Sequence, residues 1–188
     1  MAGSIALFID GGYLDKVLLH DFASARIDYE QLANTMATPH DLLRAYYYHC
    51  LPYQSNPPTE QERKLYAGKH RFITRLSSLP RFEVRLGRLV VRGRDASGAP
   101  LFVQKRVDCM IGVDMALLAA KGRITHVGFL SGDSDLIPAV EAVKREGVLV
   151  TLWHGSFSVE TRPSRELHEV CDERKQITRE LVDRILRQ

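Results

Sequence analysis

Val127-Gly-Phe-Leu-Ser-Gly-Asp-Ser-Asp135 decides how this chain is read. The apolar run over 125–131 reads as a buried strand. Ser131-Gly132 is a turn signal, and a helical pattern begins at Leu136. Two carboxylates, Asp133 and Asp135, therefore stand at the C-terminal end of a strand, where open α/β sheets bind ligands. Acids packed so closely call for a cation. An oxygen-only donor set suits a hard one, Mg²⁺ or Mn²⁺.

Working outward, the same grammar recurs. Downstream, Pro138 sits in a first helical turn, where it is tolerated, and Gly147 stops that helix. A strand is expected over 148–153. It ends at His154-Gly-Ser-Phe-Ser158, a loop on the same sheet edge as the acids. A short helix over 164–171 and an amphipathic helix through Ile177, Leu181, Val182, Ile185 and Leu186 close the chain. That last helix either packs on the body or offers a surface for a homo-oligomer.

Upstream, Ser4-Ile-Ala-Leu-Phe-Ile9 is a short buried strand ending in Asp10-Gly11-Gly12. Tyr13, Leu14, Val17 and Leu18 then recur at helical spacing. Asp10 is thus a further carboxylate at a strand's C-terminal end, although a lone Asp there also serves as a helix cap. A helix is expected over 28–36 and a strand over 42–51. A proline-rich loop follows over 52–58. The helix over 59–79 has Leu65, Phe72, Ile73, Leu76 and Leu79 inward. A third strand spans 82–86, and a basic hairpin turns at Gly93-Arg-Asp-Ala-Ser-Gly98.

The helix over 108–120 is apolar nearly all round and is expected to be buried on most sides. Asp114 lies in its middle, where an unpaired charge is costly, so it must meet a cation, a donor or water. Asp108 lies at its start. Six residues turn a helix by about 600°, so the two acids do not share a face. Strands alternating with helices give an α/β fold with a mostly parallel five-stranded sheet, helices on both faces, and a small basic hairpin insertion. The 188 residues are expected to form one domain over 1–188.

The net charge of +3 conceals an asymmetry. Residues 61–106 carry twelve Lys and Arg against three acids, which leaves fourteen bases and twenty acids elsewhere. A basic segment beside an acidic cluster suits a polyanion handled by a metal site. Lys105, Arg106, Arg88, Arg92 and Arg94 are the candidate phosphate contacts. The three cysteines are scattered and read as buried reduced thiols of a cytoplasmic protein. The histidines have no zinc-ligand spacing, and no apolar run approaches a membrane span.

Three stretches taken together resemble a known family. They are Phe8-Ile-Asp-Gly-Gly-Tyr-Leu14, Lys105-Arg-Val-Asp-Cys-Met-Ile-Gly-Val-Asp114 and Ser131-Gly-Asp-Ser-Asp-Leu-Ile-Pro138. In order and spacing they look like the NYN domain of the LabA-like group, a branch of the PIN-like ribonucleases. The resemblance implies a PIN-like three-layer α/β/α sandwich and cleavage of RNA with Mg²⁺ or Mn²⁺. It carries over Asp10, Asp108, Asp114, Asp133 and Asp135 as the acidic catalytic site. On the metal the expected set is Asp10, Asp133 and one of Asp108 or Asp114, with Asp108 the choice made, while Asp135 supports them or holds a second ion. Ser131 and Ser134, with Tyr13, would steady the carboxylates. Tyr13 stands where many members carry Asn, which changes the bonds available to substrate.

Three functions are therefore weighed. The first is a metal-dependent ribonuclease. The second is a non-catalytic module binding RNA or another partner in the same cleft. The third, a phosphatase or other metal-dependent phosphohydrolase on a similar sheet, ranks last because the turn after Asp10 lacks the Asp-x-Asp arrangement that a covalent aspartyl mechanism uses.

Overall fold

A computed structural model describes residues 3–187. The chain opens with β1 (Ser4–Asp10), α1 (Gly11–Phe22), α2 (Tyr29–Ala37), β2 (Asp41–His49), α3 (Glu60–Ser77) and β3 (Phe82–Leu86). The hairpin β4 (Arg88–Arg94) and β5 (Pro100–Lys105) follows, then α4 (Val107–Ala120) and β6 (His126–Leu130). A 3₁₀ turn, Ser134–Leu136, leads into α5 (Ile137–Arg145). The chain then forms β7 (Leu149–His154), α6 (Arg165–Val170), β8 (Glu173–Gln176) and α7 (Arg179–Arg184).

The main sheet has six strands in the order β3-β2-β1-β6-β7-β8, and every pairing in it is parallel. The sequence reading expected five. The sixth, β8, is Glu-Arg-Lys-Gln, an edge strand with no apolar alternation to betray it. From β1 the chain winds outward to β2 and β3, then returns to β6 and winds the other way. The order reverses between β1 and β6, and a crevice opens there at the strands' C-terminal ends. Register places Ile9 beside Leu130, so Asp10 and the Ser131 turn leave the sheet at one level.

Both faces of the sheet are covered, as a parallel sheet requires. Ile5, Leu7 and Ile9 point to one core, with Leu14 and Val17 of α1, Ile73 and Leu76 of α3, and Leu181 and Val182 of α7. Ala6 and Phe8 point to the other, with Ile111 and Met115 of α4, Val140 of α5 and Leu167 of α6. The alternation along β1 follows from the two-residue period of a strand. The result is the three-layer α/β/α arrangement that the sequence led us to expect.

Several local expectations need correction. The face of α4 carrying Cys109, Val113 and Leu117 is exposed, so that helix packs on one side and Cys109 is not a buried thiol. Leu65 points to solvent, while Ile73 and Leu76 carry the inner face of α3. Leu181, Val182 and Ile185 of the last helix are buried in the chain's own core. That helix has spent its apolar face internally rather than keeping it for another copy. No helix of the described residues is long and apolar enough to cross a membrane.

Candidate functional site

The crevice at the strand-order reversal is a cleft of about 720 Å³. Asp10, Asp108 and Asp133 line it. Each comes from a different element for a local reason. Asp10 ends β1 and caps α1, its Oδ1 accepting from the backbone N–H of Gly12 at 2.9 Å and of Tyr13 at 3.1 Å. Gly11 permits this turn because a Cβ there would run into the Tyr47 ring. Asp133 follows β6 and caps the 3₁₀ turn, its Oδ1 accepting from the Asp135 N–H at 3.0 Å. Asp108 sits in the first turn of α4, where a carboxylate favours the positive helix end. The hydrogen bonds to Asp10 and Asp133 all fall on Oδ1, which leaves each Oδ2 for another partner.

The acids press on one another. Burial raises the Asp10 carboxyl above its ordinary value. The amides of Tyr13 and Gly12 pull it back, and the charge of Asp108 pushes it further up. Asp108 is raised by burial first, then by the charges of Asp133 and Asp135. Asp135 is exposed on the turn and does not line the cleft, but its field reaches Asp108. Carboxylates raised by burial and by a neighbouring carboxylate, as Asp10 and Asp108 are, are poised to accept a cation.

The donor set fits one kind of ion. Among the described residues no three Asp, Glu, His or Cys side chains are gathered tightly enough to form a cage by themselves. Mg²⁺ does not need a cage. It keeps several waters and takes one or two carboxylates together with substrate phosphate. An open cleft lined by Asp10, Asp108 and Asp133 suits that mode, and the all-oxygen set suits Mn²⁺ equally.

Asp114 does not join them. It faces away from the cleft, as the helical phase demanded, accepts a hydrogen bond from the Tyr48 hydroxyl at 2.7 Å and forms an ion pair with Arg85, Nε to Oδ2 3.0 Å. The cation that the sequence called for is Arg85, not a metal. Asp15 in α1 is similarly satisfied. Burial would raise it, but His49 at 2.9 Å and Lys69 at 3.0 Å together hold it below the ordinary value.

A model of the NYN domain matches residues 4–177. The chain belongs to the NYN domain family. That family lies within the PIN-like ribonuclease superfamily. Among solved structures, this NYN chain is similar to a protein of unknown function, VPA0982 from Vibrio parahaemolyticus RIMD 2210633, at 21% identity and a TM-score of 0.60. The match covers 99% of this chain and 97% of that one. It is also similar to the catalytic domain of the Thermotoga maritima CheB methylesterase, at 14% identity and a TM-score of 0.42, over 98% and 100% of the two chains. A comparison with curated proteins finds no match.

The polar lining of the NYN cleft differs from the sequence reading. Arg88, Arg92, Arg94, Lys105 and Arg106 are all exposed on or beside the hairpin, and none lines the cleft. Arg94 donates to Gly98 O within the hairpin, at 2.7 Å. The hairpin's contributions to the cleft wall are Leu89, Phe102, Val103 and Gln104. The cations that do line it are Lys16 and Arg162, together with a further acid, Glu160. Sequence reasoning missed all three. Lys16 lies in the helix after Asp10. Glu160 and Arg162 lie just past the loop already placed on this edge.

Tyr13 explains how that loop arrives. Its hydroxyl donates to Thr161 O and accepts from the Gly155 N–H at 3.0 Å, and burial pushes the phenol up to about 12. Asp21 adds bonds to Ser156 and Thr161, and the Ser164 N–H donates to Gly132 O at 2.9 Å. The ring of Tyr13 lies against Gly132, where a Cβ would approach it to 2.7 Å. Tyr13 is thus a strut between α1, the acidic turn and the loop. Ser131 also differs from expectation, since its hydroxyl accepts from the Asp133 N–H at 3.3 Å and steadies the turn rather than the carboxylate. Ser134 lines the cleft, and no hydrogen bond joins its side chain to a carboxylate among the described residues. His154 is buried and Ser156 is bonded to Asp21, so neither faces the cleft.

Proposed function

We propose that this chain is a metal-dependent ribonuclease of the LabA-like group, hydrolysing RNA phosphodiester bonds in the cleft of Asp10, Asp108 and Asp133. The observation that carries the reading is the convergence of those three acids at the point where strand order reverses. Asp10 and Asp133 would hold Mg²⁺ or Mn²⁺ through the oxygens left free of backbone bonds, and Asp108 would complete the set. A bound ion there would neutralise the acids and lower the pKa of a water for attack on phosphorus. Asp135 tunes the field at Asp108 from outside the cleft. Lys16 and Arg162 draw the phosphate toward the acids, contacts that position rather than read sequence. The exposed arginines of the hairpin add attraction at longer range, which salt screens. The substrate is RNA, by family and by the basic surroundings.

A second reading, a non-catalytic module that binds RNA or another partner, is favoured by the absence of a closed carboxylate cage among the described residues. One experiment separates them. Purified protein is incubated with a broad RNA panel and Mn²⁺, beside Asp133→Asn. The ribonuclease reading expects Mn²⁺-stimulated cleavage that the variant lacks. RNA left intact by wild type, or cut identically by both proteins, sinks it, and salt-sensitive binding without turnover would establish the module.

A further inference from the structure

The acidic cleft continues past Asp133. Arg162 and Ser164 on its rim also wall a second pocket of about 540 Å³, whose other sides include Phe157, Pro163, Arg165 and His168. Phe157 is 65% exposed. Its ring centroid lies 5.2 Å from that of buried His154 and 5.8 Å from that of His168. The ring is supported on one side by imidazoles and leaves the rest of its surface to solvent. Packing gains little from a phenylalanine so placed.

The opposite wall repeats the pattern. Phe102 of β5 lines the cleft and is 42% exposed. Tyr53, from the proline-rich loop, is 38% exposed, and the two ring centroids lie 5.4 Å apart. The cleft that Phe102 lines also carries Asp10, Asp108, Asp133, Glu160, Lys16 and Arg162, and Arg162 is shared with the pocket of Phe157. An exposed ring, a cation-flanked acidic cleft and a second exposed ring match the alternation of base, phosphate and base along one nucleic-acid strand.

We infer that Phe102 with Tyr53 on one side, and Phe157 with His168 on the other, are stacking platforms for the two bases that flank the phosphate held at the acids. The inference rests on the ribonuclease reading and deepens it. The strand crosses the cleft from the hairpin to the pocket behind Arg162. Each platform grips a base by its flat face and so tolerates any base. Bases paired within an A-form duplex present no such face, so the track takes single strands.

The test uses the full chain. Binding is read by fluorescence anisotropy of a labelled single-stranded RNA in EDTA, and cleavage of the same oligomer is read in Mn²⁺. Phe157 is mostly exposed and Phe102 lies on a hairpin that pairs only with itself, outside both cores, so Phe157→Ala and Phe102→Ala keep the fold. Each is expected to weaken single-strand binding by about 5- to 100-fold and to leave binding of the matching duplex unchanged. Oligomers with one abasic position then assign the platforms. Phe157→Ala should cost nothing further on one such oligomer, and Phe102→Ala nothing further on a different one.

If both variants bind and cut the single strand like wild type, the platforms are wrong and the ribonuclease reading survives. Equal weakening of single strand and duplex, with no abasic position relieving it, also overturns them. If wild type neither binds nor cuts RNA, both ideas fall, and a protein partner at the exposed rings becomes the alternative.

Discussion

The two ends of α4 treat the same side chain in opposite ways. Asp108, in its first turn, faces other carboxylates across an open cleft and is raised by burial and by the charges of Asp133 and Asp135. Asp114, six residues on, is tied to an arginine and a tyrosine. A buried or half-buried acid with a partner contributes to the fold. An acid left facing its own kind weakens the fold until something else arrives. The difference separates a structural carboxylate from the one we propose as functional on a single helix.

The sharpest way to break this comparison is catalytic. Asp108→Asn and Asp133→Asn should each lower RNA cleavage by more than about 100-fold, the upper range for partners one layer removed from a metal. Asp114→Asn should stay within a few-fold of wild type. Equal loss at Asp108 and Asp114 in a cleavage assay would erase the distinction. The next effect is thermodynamic. Mg²⁺ or Mn²⁺ at about 100 times its dissociation constant should stabilise the protein by about 2.7 kcal/mol. That gain, read as a rise in Tm, should vanish in the Asp108→Asn, Asp133→Asn double variant and persist in Asp114→Asn.

A smaller effect tests the other end of the helix. Asp114→Ala leaves Arg85 without its counter-charge and the Tyr48 hydroxyl without its acceptor. The Asp114 side chain is 15% exposed but that of Arg85 is 38% exposed. Solvent screening therefore limits the cost to about 1–2 kcal/mol, measured by urea unfolding. Asp108→Asn should cost nothing without metal, and any substantial loss there would contradict the account. The smallest effect is a pH dependence. The folded values of Asp10 and Asp108 are raised, so the folded chain binds those protons more tightly than the unfolded one. Their penalty is absent below the unfolded carboxylate value of about 4, grows as pH rises from there through the raised folded values, and is constant above them. Asparagine can still cap α1. The Tm advantage of Asp10→Asn over wild type, without metal, should therefore widen from about pH 4 to pH 7 and shrink when Mn²⁺ is added. A constant difference across that range would remove the electrostatic part of the comparison.

Much of this was legible in the sequence because strand ends are legible. Asp10 and Asp133 each follow a short apolar run and precede a helical pattern, and a parallel sheet brings such ends to one edge. Helical phase correctly parted Asp108 from Asp114, while the resemblance kept both in the site. Only coordinates supply Arg85, which lies in another strand. Lys16, Glu160 and Arg162 were hidden for a different reason. Their arrival depends on long-range ties, above all Tyr13 to Gly155 and Thr161, which no local pattern encodes. The basic hairpin was found as a hairpin, but which of its residues turn inward depends on how it leans, and the apolar ones do. The edge strand β8 stayed invisible because four polar residues carry no periodic signal.

The Arg85–Asp114 pair has one more consequence. Arg85 lies in β3, just before the hairpin departs, and Asp114 lies in α4, just after it returns. The hairpin's strands pair only with each other. It is an arm fastened where both of its roots meet the body. Natural or engineered chains can lengthen or shorten the outer turn of such an arm, beyond Leu89 and Phe102, without disturbing either core or the cleft wall, so the reach of this protein toward its ligands is free to diverge while its acidic centre stays fixed.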